Sequence, residues 1–199
     1  MSSLTESSNL VLNLHLICVD HPRWVVLKYM RTIKHLVLVF WMTALTALAA
    51  SAQTNLTAVD GTLVDVQGQR GKVVVLAVGA CWLPLSAKQA EYTNSLVKKY
   101  SGRDVVFYFV ATDSSNAKSK NFADDSTIRK FAFDKKVGVT VLRDFDGAAT
   151  LRKFRIEQVP SFVIIDKNGV QSGDPFGGIS TDPKYDPTVA ISRAIDKLL

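Results

Sequence analysis

Hydrophobic and polar positions divide the chain into runs of different period. Val73 to Val78 and Val105 to Ala111 are short, unbroken and rich in β-branched or aromatic residues, which predicts strands buried on both faces. Between them Ala87, Ala90, Asn94, Val97 and Tyr100 recur at three- and four-residue spacing, predicting a helix over 86–100 that Ser101-Gly102 stops. Strand, helix and strand in that order predict a parallel crossover. Pro84 marks the turn or first helical turn between them, because it lacks an N–H and its φ is already near the helical value. Further on, Ile128, Phe131 and Ala132 share one face of a second helix, capped by Asp125 or Ser126 and ending near Gly138. Val139 to Leu142 reads as a short strand, 144–147 as a solvated turn, and Ala148 to Phe154 as a short helix. Ser161 to Ile165 is strand-like, Asp166 to Gly169 is a hairpin turn, and Val170 onward returns antiparallel, with Phe176 in a further strand. Asp186 caps a last helix with Pro187 in its first turn and Ile191, Ile195 and Leu198 inside. Residues 53–70 are polar and turn-rich, with one short strand at Leu63 to Val66.

The start of the chain has a different pattern. From Met30, Arg31 and Lys34 precede a run, Leu36 to Ala50, that is apolar apart from two threonines, and Ala50-Ser51-Ala52 has the small residues of a signal-peptidase site. The run is shorter than the ~20 residues that comfortably span a bilayer, so cleavage after Ala52 is expected, with uncleaved anchoring as the alternative. Gln53 would then come first, and not a cysteine that could carry a lipid. Residues 1–29 form an upstream extension: a mis-assigned start ahead of Met30, or an amphipathic lead-in. Residues 53–199 make a single domain, exported to a periplasmic or extracellular compartment.

Removing 1–52 changes the chemistry that is available. Lys plus Arg fall from 24 to 20 and Asp plus Glu from 18 to 16, so the formal net charge drops from +6 to +4. The remaining charges, among them Lys98, Lys99, Arg129, Lys130, Lys135, Lys136, Arg152 and Lys153, are spread along the chain with acids between, which describes solvated surface and no nucleic-acid stripe. His15, His21, His35 and Cys18 all precede the cut, leaving Cys81 as the only thiol and no imidazole. That excludes Ser-His-Asp and Cys-His catalysis, a histidine metal site and an intramolecular disulfide. Asp144-x-Asp146-Gly147 is no calcium loop either, since its glycine comes too early and no carboxylate series follows. No metal and no cofactor are expected.

With the elements placed, GKVVVL, a turn with Trp82 and Pro84, VVFYFVATDSS and DFDGAATLRKFRIEQVPSFVIIDKNGV together resemble the thioredoxin-like superfamily, in its exported TlpA/ResA-type or redoxin (AhpC/TSA-like) branch. The resemblance covers most of 55–199. It implies an α/β, three-layer sandwich with a central mixed sheet flanked by helices, and a thiol-disulfide oxidoreductase ancestry. It also implies that Pro160, after Val159, is a cis residue facing the site, where the preceding backbone can pair with an extended peptide.

The family pattern at the first turn is roughly Trp-Cys-x-x-Cys, and the matching residues here are Trp82-Leu83-Pro84-Leu85-Ser86. By this resemblance Leu83 replaces the nucleophilic cysteine, Ser86 the resolving one, and Ala77 the acidic residue six positions earlier. A thiolate at a helix start is stabilised by free N–H groups and the helix dipole. Leucine has nothing to ionise, and serine lacks a base to activate it. The sequence therefore favours a non-catalytic binding or scaffolding domain whose groove at Trp82, Pro84, Val159 and Pro160 holds an extended peptide or a partner protein. The alternative is a monothiol or peroxide-reactive enzyme using Cys81, although Val78 stands where peroxiredoxins carry a threonine three residues before their cysteine. Cys81 by itself is expected to be a small buried hydrophobe.

Overall fold

The structure is a computed structural model that describes residues 53–182 and 184–199. The expected extension over 1–29 and signal segment over 30–52 lie outside the described residues. Six strands, β1 (Asn55–Ala58), β2 (Leu63–Asp65), β3 (Val73–Gly79), β4 (Val105–Ala111), β5 (Thr140–Arg143) and β6 (Ser161–Ile165), form one sheet in the order β2-β1-β5-β4-β3-β6. Among the described residues three α-helices accompany them: α1 (Pro84–Lys99), α2 (Asp125–Asp134) and α3 (Pro187–Asp196). The sheet is mixed: β3, β4 and β5 are parallel, while β6 runs antiparallel to β3, and β1 runs antiparallel to both β5 and β2.

The two-residue period of a strand separates the core into two halves. On one face Val75, Ala77, Phe107, Phe109, Val141, Phe162 and Ile164 meet Leu96 and Tyr100 of α1, Ile128 of α2, and Ile191 and Ile195 of α3. On the other, Leu56, Ala58, Val74, Leu76, Val78, Val110, Val163 and Ile165 meet Phe154 and Ile156. Each fully buried Leu, Ile or Phe contributes about 1.5–3 kcal/mol relative to exposure, so burial on both faces stabilises the sheet between its layers. The thioredoxin-like three-layer arrangement implied by the resemblance is present. Its second outer layer, however, is the segment 145–156 and contains no α-helix.

Several local expectations are corrected. Residues 148–154 form successive hydrogen-bonded turns after a 3-10 turn at Phe145–Gly147, with Leu151 N–H donating to Gly147 O at 3.0 Å and Phe154 N–H to Thr150 O at 2.9 Å. Asp144 is no solvated turn residue: it is 4% exposed, and its carboxylate accepts from Ala149 N–H, Thr150 N–H and Thr150 Oγ1 at 2.5–2.9 Å. The first strand, Asn55–Ala58, was hidden in a polar segment because only Leu56 and Ala58 point inward. The cap of α2 is Asp124, one residue earlier than expected, and it accepts from Thr127 N–H at 2.7 Å. After β6 the chain does turn at Gly169, whose φ is +77°, but no strand follows; the return makes only isolated bridges, Ile165 with Gln171 and Phe162 with Phe176.

The inner face of α1 also differs from the apolar stripe. Ser86, Gln89, Ala90, Thr93 and Leu96 are the buried residues, whereas Ala87, Asn94 and Val97 are only half-buried. Three of those five are polar, which shifts the true face by about one residue from the one that hydrophobicity marks. Hydrogen bonds make this possible for all their polar atoms but Gln89 Oε1: a buried polar side chain is tolerated where its polar atoms are paired.

Candidate functional site

The site forms where β3 ends. All seven residues of β3 are buried, and the strand leaves the sheet at Gly79 into a turn closed by Leu83 N–H donating to Ala80 O at 3.1 Å. Leu83 is extended, with φ −83° and ψ 121°, and precedes α1 with no side-chain capping bond; Pro84 occupies the first turn. This is the position at which a helix dipole and free N–H groups would hold an anionic side chain, and leucine presents none. Ser86 is completely buried, its Oγ accepting from Ala80 N–H at 3.2 Å. Ala77, in mid-strand opposite Phe162, is equally buried and brings no ionisable group.

The Val159–Pro160 peptide is cis. Val78 is paired with Ser161, so Pro160 lies beside the chain as it leaves β3. Gln89 ties the two together. Its Nε2 donates to Ser161 O at 2.7 Å and to Val78 O at 3.2 Å, joining α1, β3 and β6 at one buried point. The two carbonyls dictate which end of the amide faces them. Gln89 Oε1 is buried without a hydrogen-bond partner, and it lies so near Gly79 that a Cβ there would come within 2.5 Å. Glycine at 79 is thus required by close approach and not by its φ.

Trp82 is 50% exposed and, with Cys81, Asp113, Phe122 and Phe131, lines a cleft of about 280 Å³. On the side of Pro160, Gln158, Ser161, Pro175 and Gly177 line a wider, more polar opening of about 820 Å³. A third opening, of about 420 Å³, lies away from both, between α1 and α3. Leu83 and Val159 are half-buried, Pro84 exposed and Pro160 buried. The structure therefore gathers Trp82, Leu83, Pro84, Val159 and Pro160 around the junction of β3, β6 and the start of α1.

Cys81 is only part-buried. Its N–H donates to both oxygens of Asp113, at 2.9 and 3.0 Å, and Asp113 is 1% exposed. Burial pushes the Cys81 thiol far above its ordinary range, the adjacent Asp113 carboxylate pushes it further, and Arg143 opposes them only in part. That environment is the opposite of the electropositive one that activates a cysteine.

Sequence reasoning missed three residues of this neighbourhood: Gln89, Asp113 and Arg143. Arg143 is buried at the end of β5, with Nη2 donating to Ala123 O at 3.0 Å, Nε 3.3 Å from Asp125 and the guanidinium 4.5 Å from the Phe145 ring centroid. The signal was its place two residues after Val141, which puts a charged side chain on an inward-facing register position.

The model of the Redoxin family matches residues 43–172. The chain belongs to the Redoxin family. No curated protein matches the sequence significantly. Among solved structures, this redoxin is similar to the pneumococcal exposed lipoprotein thioredoxin Etrx1 of Streptococcus pneumoniae, with 24% identity, a TM-score of 0.58, and coverage of 74% of this chain and 100% of that one. A secreted Mycobacterium tuberculosis disulfide oxidoreductase homologous to E. coli DsbE matches with 21% identity and a TM-score of 0.55, covering 73% and 96%. A thioredoxin-like protein from Aeropyrum pernix matches with 19% identity and a TM-score of 0.57, covering 85% and 99%. These likenesses establish the thioredoxin-like fold. Among the described residues, no helix is long and apolar enough to cross a membrane.

Proposed function

We propose that this redoxin is an exported binding or scaffolding domain that has kept the frame of a thiol-disulfide oxidoreductase without its dithiol. The observation that carries the reading is the start of α1, where Leu83 stands at the helix N-terminus and Ser86 is locked inside with its hydroxyl bonded to Ala80 N–H. The turn carrying Trp82 and the opening beside the cis Val159–Pro160 peptide would together receive an extended segment of a partner, its backbone pairing beside Val159. Export is supported by the signal-like segment before Gln53 and by two relatives whose names describe them as secreted and as an exposed lipoprotein.

The competing reading gives Cys81 a monothiol role, in mixed disulfides or with peroxide. Against it stands the Cys81 environment, since the thiolate is the reactive form and both burial and Asp113 disfavour it. An insulin turbidity assay with dithiothreitol tests the proposal: the protein should not accelerate precipitation over dithiothreitol alone. Turnover comparable to a dithiol thioredoxin would sink it. In the same preparation, reduced and alkylated insulin B chain serves as the extended probe, and Trp82→Ala should weaken its binding.

A further inference from the structure

The charges that are spread along the sequence are not spread evenly in space. The parallel register pairs Val73 with Val105 and Tyr108 with Thr140, so the amino ends of β3, β4 and β5 lie at one end of the sheet, away from the candidate site. Lys72 immediately precedes β3, Arg103 and Asp104 precede β4, and Lys136 follows α2 on the way into β5. The last turn of α1 brings Lys98 and Lys99 to the same end. Hydrogen bonds fasten the remaining pieces there. Gly71 N–H donates to Lys167 O at 3.0 Å, Arg70 to Asn168 O, Lys167 Nζ to Leu199 O at 2.8 Å, and Asn94 Nδ2 to Lys136 O at 2.7 Å. The Tyr100 hydroxyl bonds Asp196 at 2.9 Å, which places Lys197 beside the end of α1.

This pole holds eight basic side chains, Arg70, Lys72, Lys98, Lys99, Arg103, Lys136, Lys167 and Lys197, against three acidic ones, Asp104, Asp166 and Asp196, while Asp134 and Lys135 line the Trp82 cleft and belong to the site. Its net charge is +5, while the other twelve basic and thirteen acidic side chains of residues 53–199 sum to −1. All the basic residues except Lys167 are exposed. Phe133, 83% exposed, stands near the end of α2 beside Lys136 and adds an apolar contact to the pole.

We propose that this basic pole docks the domain on an anionic lipid surface, leaving the opening beside the cis Val159–Pro160 peptide clear of it. Cations delivered by separate turns and helix ends suit a planar partner that demands net charge and no sequence of contacts. One exposed phenylalanine three residues before Lys136 suits insertion at headgroup level. A nucleic acid would instead be held by aromatic platforms along a basic groove, whereas Tyr100, the aromatic ring under Lys99 and Arg103, is 2% exposed. This inference stands apart from the proposed function.

The test is co-sedimentation of the full chain with phosphatidylcholine vesicles, with and without phosphatidylglycerol. Each cation near an anionic surface is worth roughly fivefold in partitioning. Replacing Lys72, Lys98, Lys99 and Lys136 together by Gln should therefore lower binding to the anionic vesicles by more than about a hundredfold. The same replacement at Lys118, Lys120, Arg152 and Lys184, which lie outside the pole, should cost less than about threefold. Phe133→Ser should weaken binding without changing its salt dependence. The proposal is overturned if both fourfold variants lose binding equally, if neither does, if phosphatidylglycerol makes no difference, or if a DNA duplex binds the pole more tightly than the vesicles.

Discussion

Replacing Gln89 by Leu should loosen the frame that holds the candidate site. Gln89 is fully buried on α1, and leucine fills nearly the same space without the amide. The substitution removes the 2.7 Å bond to Ser161 O and the longer 3.2 Å bond to Val78 O. Leaving a buried acceptor without its donor costs about 1–3 kcal/mol, so the two together come to about 3 kcal/mol, the shorter bond weighing more. Loss of the unpartnered Oε1 returns about 1 kcal/mol of desolvation. The net cost is about 2 kcal/mol, or about 8 °C in Tm for a domain of this size. Thermal and urea denaturation followed by circular dichroism measure it, with Lys98→Ala on the exposed side of the same helix expected within about 0.5 kcal/mol of wild type. Amide exchange of the first residues of β6 should accelerate in step. A Gln89→Leu protein that unfolds with wild-type midpoint and exchange would refute the idea that this amide fastens α1 to the cis-proline turn.

Three further outcomes follow from other contacts. Gly79→Ala should destabilise by about 1–3 kcal/mol through overpacking, because its Cβ would meet Gln89 Oε1 at 2.5 Å and Ser86 Oγ at 2.9 Å; adding Gln89→Ala should recover part of the loss, and strict additivity in the double-mutant cycle would remove the explanation. The Cys81 thiol is held above its ordinary range, so folding favours its protonated form; that stability is complete below the unfolded thiol pKa of about 9 and is lost as pH rises beyond it. Wild type should therefore lose more Tm than Cys81→Ala between neutral pH and about pH 10, and iodoacetamide should label Cys81 far more slowly in folded than in urea-unfolded protein. Hydrogen bonds from Thr127 and Ser126 hold the Asp124 carboxyl down at about 2, so its contribution to α2 is present above about pH 4 and lost as pH falls towards 2. Asp124→Ala should lower Tm at neutral pH, and the difference should vanish near pH 2.

The parts of the fold that could be read from the sequence are those in which burial and hydrophobicity coincide. The runs at β3 and β4 declare themselves because both faces are covered, and Asp186 with Pro187 announces α3 by a local rule that needs no tertiary partner. Reading failed where polar atoms are buried with partners distant in the chain. Gln89 finds Ser161 across 72 positions, and Asp113 meets Cys81 across 32, so neither side chain looks internal until the sheet is assembled. The same holds for the turn-rich segment 145–156: Phe154 and Ile156 are two residues apart, which is not helical spacing, and Asp144 organises successive turns there by accepting from Ala149 and Thr150. In the site, the Trp82 turn and the Val159-Pro160 segment were visible because their residue types are unusual in their settings. The buried arginine at 143 was visible only as a register anomaly.

The central claim is that the frame of a dithiol site persists while its sulfur chemistry is gone. Leu83→Cys with Ser86→Cys tests it directly: Ser86 N–H bonds Leu83 O at 3.0 Å, so the two positions face each other across the first turn of α1, within the reach of a disulfide. Thiol titration after mild oxidation, with insulin turbidity on the same samples, should find that the folded double variant forms a reducible bond and gains reductase activity that wild type lacks. A folded variant that keeps both new thiols free under oxidation, or a wild-type protein that already reduces insulin, would contradict the account.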